Sequence, residues 1–204
     1  MAIAFIERIK NNLKEKKKNK IINKWYSEGC PVPTPHIIKQ LAIQSYQKQS
    51  GIDILVETGT FRGDMVEAQM GYFKQIFSIE LSEKLWQDAR DKFRSYNNIA
   101  ILQGDSGKVL KDVMLQLKGP AVFWLDGHYS AGETAKGDKE CPIFEEIDSI
   151  FTDKRFSHIL LVDDARCFNG QGDYPTIDAL TNYIQSKDAS YKVEVKDDII
   201  RFTK

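Results

Sequence analysis

Acidic side chains end five short apolar segments of the sequence: Glu57, Glu80, Asp105, Asp126 and Asp163. Each segment is rich in Ile, Leu, Val or Phe, a pattern typical of strands that are covered on both faces. Ligands of an open α/β sheet bind beyond the carboxyl ends of its parallel strands, so we expect the five carboxylates to line one edge of a sheet. A polar residue that caps a strand where it leaves the core explains any one of them better. All five together favour a binding edge, where ligands or a cation offset their mutual repulsion.

The first of these segments runs into a glycine turn, Glu57-Thr58-Gly59-Thr60-Phe61-Arg62-Gly63. Gly59 can take a positive φ, and it lets a ligand approach the main chain closely. Gly63 stands where the next helix begins, and the free N–H groups of a helix start bind polar or anionic groups. Glu57 accepts hydrogen bonds but repels a phosphate, so the turn does not favour a phosphate-binding loop.

The next two acids suit the recognition of a nucleoside. Glu80 lies 21 residues after Gly59, where an acidic residue of nucleoside-binding α/β folds holds the ribose hydroxyls. Asp105, in Gln103-Gly104-Asp105-Ser106, can accept a hydrogen bond from an adenine amino group. Asp105 can also cap the helix that follows it, and the two roles are compatible.

The glycine turn, Glu80 and Gly104-Asp105 together resemble the cofactor motifs of class I S-adenosylmethionine-dependent methyltransferases. The resemblance runs from about residue 35 to the end of the chain, and it departs from the family at Thr60, where many members have a second glycine. It implies an S-adenosylmethionine site with the following lining: Glu57, Thr58, Gly59, Thr60, Phe61, Gly63, Glu80, Leu81, Asp105 and Ser106.

The fourth and fifth apolar segments end in a second set of motifs. Trp124-Leu125-Asp126-Gly127-His128-Tyr129 and Leu161-Val162-Asp163-Asp164 resemble the metal-binding strand ends of macrocin-type sugar O-methyltransferases. The resemblance implies three carboxylate ligands for a divalent ion: Asp126, Asp163 and Asp164. Oxygen ligands of this kind suit Mg²⁺. The resemblance also places the general base at His128, where members of that family usually have Asp.

These motifs fit one reaction, the transfer of a methyl group to a sugar or another polyhydroxylated small molecule. A hydroxyl attacks the sulfonium methyl group well only when it is deprotonated and in line, and a cation that binds a vicinal diol lowers its pKa. His128 can take the proton near neutral pH, or it can orient Asp126 from the rim of the site. His128 and Asp126 are therefore the candidate catalytic residues, and Arg166, just after the Asp pair, can also face the substrate.

The elements that must position these residues alternate along the chain. Strands are predicted at 52–57, 75–81, 99–104, 121–126 and 158–163. Helices are predicted at 1–28, 36–49, 62–72, 82–95, 107–117, 141–152 and 174–186. Residues 191–203 read as a hairpin. The pattern predicts an α/β fold, a Rossmann-like three-layer sandwich whose twisted sheet is mostly parallel with a C-terminal antiparallel hairpin at its edge.

Composition sets the frame for this prediction. The 204 residues suit one domain with a sizeable core, and 29 basic against 29 acidic residues give no general affinity for nucleic acid. The three cysteines are scattered, which favours reduced thiols and a cytoplasmic location. No apolar run reaches membrane-spanning length, and no signal peptide is visible.

The chain is expected to divide into two parts. Residues 1–34 form a basic helix with a Pro-rich connector, and residues 35–204 form the methyltransferase domain. The N-terminal helix is expected to pack on the domain or on a second subunit, as in a homodimer, and less readily on anionic lipid.

Two other functions remain open. A nicotinamide-dependent oxidoreductase shares the first turn and the distal acid, although Gly59 and Gly63 do not match the three-glycine fingerprint. A non-catalytic nucleoside-binding module also fits, and it would tolerate the loss of Asp126, Asp163 and Asp164.

Overall fold

The computed structural model describes the backbone of residues 2–127 and 140–204, and the side chains of these residues apart from 2–12 and 14. The strands are β1 Ile54–Thr58, β2 Gln75–Glu80, β3 Ile99–Gln103, β4 Ala121–Leu125, β5 Ile159–Val162, β6 Lys192–Lys196 and β7 Ile199–Thr203. The helices are α1 Ala2–Ser27, α2 His36–Ser50, α3 Asp64–Gln69, α4 Glu83–Phe93, α5 Ser106–Gln116, α6 Ile143–Ile150 and α7 Ile177–Lys187. A short 3-10 turn, Ala165–Cys167, follows β5.

Within the described residues, seven strands form one sheet in the order β3-β2-β1-β4-β5-β7-β6. The first five strands pair in parallel, and β7 is antiparallel to both β5 and β6. The predicted α/β Rossmann-like sheet with a C-terminal antiparallel hairpin is therefore confirmed. The strand order reverses between β1 and β4, and ligands of such sheets bind in the crevice that forms there.

The core consists of two apolar clusters, one on each face of the sheet, because alternate residues of each strand point to opposite faces. Val56 packs with Phe77 and Phe123 in the cluster that α5, α6 and α7 cover. Leu55 and Trp124 belong to the other cluster, which α2, α3 and α4 cover. A parallel sheet that is buried on both faces holds its strand ends firmly, so the residues just beyond them have fixed positions.

The largest difference from the predicted elements lies in α3. The helix was expected over 62–72, and it spans Asp64–Gln69. Its start is set by Gly63, which precedes it with a φ of 73° and leaves no room for a side chain, since a Cβ there would lie 2.6 Å from the Phe93 ring. The other predicted helices and strands are found within a few residues of their expected bounds.

The N-terminal part of the chain leads into α2. Near the end of α1, Trp25 is buried and its indole N–H donates a hydrogen bond to the Pro31 carbonyl at 2.8 Å. Leu13 is 60% exposed and Ile21 is 40% exposed. The division at residue 34 and the homodimer stay predictions.

No helix in the described part of the chain is long and apolar enough to cross a membrane.

Candidate active site

The turn after β1 packs directly against the end of β4. Gly59 has a φ of 85°, and a Cβ at this position would lie 2.4 Å from the backbone oxygen of Asp126. The Thr58 hydroxyl accepts hydrogen bonds from the backbone N–H groups of Asp126 and Gly127, at 3.2 and 3.1 Å. The sequence predicted that a ligand needs Gly59. The structure adds that the protein's own backbone already requires a glycine there.

Glu57 lies fully inside this turn, with 1% of its surface exposed. Its carboxyl accepts a hydrogen bond from the Ser78 hydroxyl, which in turn shares a hydrogen bond of 2.6 Å with the Thr60 hydroxyl. Burial raises the pKa of Glu57 to about 8, an effect that the Ser78 hydrogen bond opposes and the nearby charge of Glu80 reinforces. Glu57 therefore supports the turn from below as a largely protonated acid at neutral pH.

Glu80 lies beside the glycine turn, as the nucleoside interpretation requires. Its two oxygens accept hydrogen bonds from the backbone N–H groups of Phe61 and Ser82, at 2.7 and 2.9 Å. Phe61 has a positive φ of 48°, and its ring is exposed. Each carboxylate oxygen has two acceptor sites, so Glu80 keeps capacity for further donors such as ribose hydroxyls.

The third strand contributes a helix cap. Asp105 precedes α5 and accepts a hydrogen bond from the Gly107 N–H at 3.0 Å, which is the capping role considered from the sequence. Ser106 is buried and donates to the Glu146 carboxylate at 2.6 Å. Leu81, after β2, accepts a hydrogen bond from Gln103 through its carbonyl at 3.1 Å.

The three predicted metal ligands converge beyond β4 and β5, and we call Asp126, Asp163 and Asp164 the acid cluster. One carboxylate oxygen of each lies within 4.8 Å of the others. Asp163 is completely buried, and its backbone N–H donates to the Leu125 carbonyl at 3.0 Å. Asp164 takes a left-handed conformation with a φ of 54°, and its backbone N–H donates to Asp163 Oδ1 at 2.7 Å.

A lysine from another element also reaches the acid cluster. The Nζ of Lys39, on α2, lies 2.5 Å from Asp163 Oδ2 and 3.1 Å from Asp164 Oδ1. The Lys39 side chain is 14% exposed, so the ammonium is largely removed from water. An ammonium and two carboxylates in such a setting stabilise one another, and each would be costly to bury alone.

The pKa values of this group follow from burial and charge together. Burial would lower the pKa of Lys39, but the charges of Asp163, Asp164 and Asp126 and the Asp163 hydrogen bond raise it overall. Burial raises the pKa of Asp126, and the charge of Asp163 adds to it while Lys39 opposes it. Burial also raises the pKa of Asp163. Burial and mutual repulsion therefore disfavour the charged forms of Asp126 and Asp163, and the Lys39 ammonium opposes this effect.

Arg166 supplies a second cation at the outer side of the acid cluster. Its Nη1 lies 2.8 Å from Asp164 Oδ1, and the same nitrogen pairs with Asp198. In the structure Arg166 is paired with these two acids, and its role as a substrate-facing residue stays a prediction.

The acid cluster fits a hard divalent ion in its chemistry. Its donors are carboxylate oxygens, which Mg²⁺ prefers, and one oxygen of each residue lies within 4.8 Å of the others. Small side-chain rotations would bring the oxygens into range, provided that Lys39 yields its place.

The proposed general base cannot be placed. His128 lies outside the described residues, as do residues 129–139. Asp126, two residues earlier, does lie in the acid cluster, so the structure brings one of the two candidate catalytic residues to the predicted edge.

Two residues at this edge escaped the sequence analysis. Lys39 precedes Asp163 by 124 positions, and nothing in the sequence of α2 distinguishes it from a solvated surface lysine. Glu146 is buried on α6, holds Ser106, and has an oxygen 3.0 Å from where a Cβ of Gly127 would stand. The sequence offered one signal for Glu146, which is an acidic residue on the otherwise apolar face of α6.

Comparisons with known proteins support the fold. No family model matches the sequence, and no curated protein is similar enough in sequence to count as a relative. An O-methyltransferase from Bacillus cereus, solved with SAH, superposes with a TM-score of 0.58 at 13% identity, over 93% of this chain and 91% of that chain.

Two further solved structures show the same likeness. The SAH-bound methyltransferase PaMTH1 of Podospora anserina gives a TM-score of 0.56 at 14% identity, over 90% of this chain and 86% of its own. The N-methyltransferase NodS from Bradyrhizobium japonicum WM9, in complex with S-adenosyl-l-homocysteine (SAH), gives 0.53 at 12% identity, over 84% and 89%. At these identities the likeness concerns the fold, and this chain has the α/β Rossmann-like fold of these methyltransferases.

Proposed function

We propose that this protein is an S-adenosylmethionine-dependent O-methyltransferase that acts on a sugar or another polyhydroxylated small molecule with the help of Mg²⁺. One observation carries the proposal: the ends of β1 and β2 bring the glycine turn and Glu80 together, and the ends of β4 and β5 bring the acid cluster to the same edge. The SAH-bound structures of the same fold support the choice of cofactor.

On the cofactor side, Glu80 has the capacity to accept ribose hydroxyls while it holds the N–H groups of Phe61 and Ser82. The backbone N–H groups of Gly59 and Thr60 donate to the Ile79 carbonyl, which holds the turn against β2, and Asp105 and Ser106, after β3, would lie beside the adenine ring. When bound, S-adenosylmethionine supplies an electrophilic methyl group on a sulfonium. The protein's part is then to fix the acceptor oxygen in line with that methyl group and to exclude water.

On the acceptor side, Asp126, Asp163 and Asp164 would hold the divalent ion. A bound Mg²⁺ lowers the pKa of a hydroxyl that it contacts and fixes its orientation. His128, two residues after Asp126, is the proposed acceptor of the hydroxyl proton, because an unperturbed imidazole titrates near pH 6.5. Asp126 would orient this part of the site through its contacts with the β1 turn.

The setting of the enzyme is also a proposal. The three cysteines are free, which agrees with a reducing compartment such as the cytoplasm. We place the catalytic domain at residues 35–204, after an appendage at residues 1–34 that forms a homodimer contact. The balanced charge of the whole chain makes a small molecule the expected partner, rather than a nucleic acid.

Calorimetry with S-adenosylhomocysteine tests the cofactor half. We expect binding to the wild type and a loss of tenfold or more in affinity in Glu80→Gln, since the neutral amide is a poorer acceptor. Glu83→Gln, an exposed acid three residues later, is the matched control and should bind like the wild type. No heat at millimolar ligand would contradict the proposal.

Methyl transfer to a panel of sugars and polyols, followed with labelled S-adenosylmethionine, tests the metal half. We expect transfer that depends on Mg²⁺ and is lost in Asp163→Asn, while binding of S-adenosylhomocysteine persists. A non-catalytic nucleoside-binding module would bind S-adenosylhomocysteine but transfer nothing in either form.

A further inference from the structure

Lys39 occupies the acid cluster in the way that a cation would. Its Nζ contacts one oxygen of Asp163 at 2.5 Å and one oxygen of Asp164 at 3.1 Å. The nearby charge of Asp126 also raises the pKa of Lys39. These are the three residues whose oxygens converge within 4.8 Å. The lysine thus occupies carboxylate oxygens of two of the three residues that would hold a divalent ion.

The ammonium has a structural reason to be there. Asp163 has no exposed side-chain surface, and Asp164 and Lys39 have 14% each. Carboxylates removed from water need a positive partner, because the loss of hydration is costly when no charge compensates it. In the metal-free protein, the buried carboxylates therefore require another positively charged partner.

The helix that carries Lys39 is fixed, so the side chain is the movable part. The Thr34 hydroxyl, just before α2, donates to the Asp197 carbonyl at 3.0 Å. Farther along the helix, Gln69 donates to the Gln40 carbonyl at 3.1 Å. A lysine on an anchored helix can still swing its long, flexible stem without any change in the backbone.

A divalent ion and the Lys39 ammonium would repel each other if both bound these carboxylate oxygens. Mg²⁺ binds a carboxylate oxygen at about 2.1 Å, so an ion on Asp163 Oδ2 would stand no farther than about 4.6 Å from Nζ at its observed 2.5 Å. Like charges at such a distance repel strongly in a site with little water.

We propose that Lys39 is a tethered competitor for the metal site: its ammonium pairs with Asp163 and Asp164 in the metal-free protein, and a divalent ion binds only by displacing it. This inference rests on the metal half of the proposed function. It makes Lys39 a residue that sets metal affinity, and it gives the buried carboxylate of Asp163 a cationic partner when no ion is bound.

Metal titration of Lys39→Met tests the proposal without any measurement of activity. Methionine keeps the length of the side chain and removes its charge. We expect Mn²⁺, followed by electron paramagnetic resonance, to bind the variant at least tenfold more tightly than the wild type. Lys39→Arg, which keeps a cation, should stay much closer to the wild type.

A second lysine provides the matched control. Lys74 pairs with Asp53 at 2.6 Å on the surface, far along the sheet from the acid cluster, so Lys74→Met removes an ion pair without touching the site. We expect its Mn²⁺ affinity to equal that of the wild type, and circular dichroism should show native helix content in each variant.

A measurement on the wild type keeps the test valid if Lys39→Met does not fold. Reductive methylation followed by mass spectrometry reports how accessible each lysine amine is. We expect Lys39 to react severalfold faster when Mn²⁺ is present, while Lys74 reacts at the same rate with and without it.

Each other outcome overturns the inference. Equal Mn²⁺ affinity in wild type and Lys39→Met, or equal reactivity of Lys39 with and without bound Mn²⁺, would exclude competition but leave the proposed metal site standing. Weaker binding in Lys39→Met would make the lysine a supporter of the metal site. No binding in any variant would remove both the competition and the metal half of the proposed function.

Discussion

The two halves of the sheet edge neutralise their acids in different ways. On the cofactor side, at the ends of β1 and β2, Glu57 bonds to a hydroxyl and Glu80 to two backbone N–H groups. On the cation side, at the ends of β4 and β5, Asp163 and Asp164 meet the full charges of Lys39 and Arg166. Neutral dipoles satisfy the first pair of acids, whereas the second set needs cations.

This difference has a physical consequence for binding. Backbone N–H groups are part of the fold and stay with Glu80 whether or not a nucleoside is present. The ammonium of Lys39 lies at the end of a flexible side chain, so the proposed exchange for another cation needs no change in the backbone. The partners of Glu80 are therefore fixed by the fold, whereas the partner of Asp163 can move with its side chain.

The largest effect is expected for a substitution that disrupts the contact between the β1 turn and the end of β4. Gly59→Ala would place a methyl group 2.4 Å from the Asp126 backbone oxygen and force a side chain into a φ of 85°. We expect a loss of about 3 kcal/mol or more in the free energy of unfolding, because backbone atoms must move. Urea denaturation measures it.

A second glycine provides the control for this substitution. Gly71 has open space around its Cβ position, so Gly71→Ala should change the stability little. If Gly59→Ala were as stable as Gly71→Ala, the close packing of the β1 turn on β4 would be wrong.

Removal of the Lys39 ammonium should lower the free energy of unfolding by nearly as much. In the absence of divalent ions, Lys39→Met leaves Asp163 buried without its partner, and we expect a loss of about 3 kcal/mol. Asp163→Asn in the same background should recover part of it, and a double-mutant cycle would give the coupling energy. Additive effects of the two substitutions would mean that the ion pair contributes nothing to stability.

The sequence predicts most of the sheet and its acidic edge, but it does not predict the lysine that contacts the acids there. Apolar segments with terminal acids predicted the strands and the edge, since burial on both faces leaves a clear pattern in β1, β2 and β4. The convergence of Asp126 with Asp163 followed from strand ends that meet at one edge. Lys39 could not be found in this way, because the contact joins residues 124 positions apart and depends on how α2 packs.

A smaller effect is expected for the hydroxyl that ties the cofactor side to β4. Thr58→Val keeps the shape of the side chain but removes the hydroxyl that accepts from the backbone N–H groups of Asp126 and Gly127, although the Asp126 N–H keeps the Thr58 carbonyl as an acceptor at 3.2 Å. Buried donors that lose a partner cost about 1–2 kcal/mol, so we expect a loss of that size in the free energy of unfolding. Mn²⁺ affinity should change much less than the stability, since the Asp126 N–H stays bonded to the Thr58 carbonyl.

The last prediction concerns Glu57 and appears only as a dependence on pH. Its pKa rises from 4.5 to about 8 on burial, so the native protein holds a proton that the unfolded chain releases. The stability that this proton provides is complete below pH 4.5 and declines as the pH rises toward 8, by up to about 1.4 kcal/mol per pH unit. Glu57→Gln cannot lose a proton, so this decline should be absent from the variant.

At pH 5 the variant should therefore lie within about 1 kcal/mol of the wild type, because an amide replaces a protonated carboxyl. The gap should widen in favour of the variant as the pH rises to 8, measured as the free energy of unfolding in urea at each pH. Glu83→Gln, at an exposed position, should keep the decline of the wild type. Parallel curves for the wild type and Glu57→Gln would mean that Glu57 is already ionised in the native protein. The cofactor side would then carry a buried charge, as the cation side does, and the contrast between the two halves would disappear.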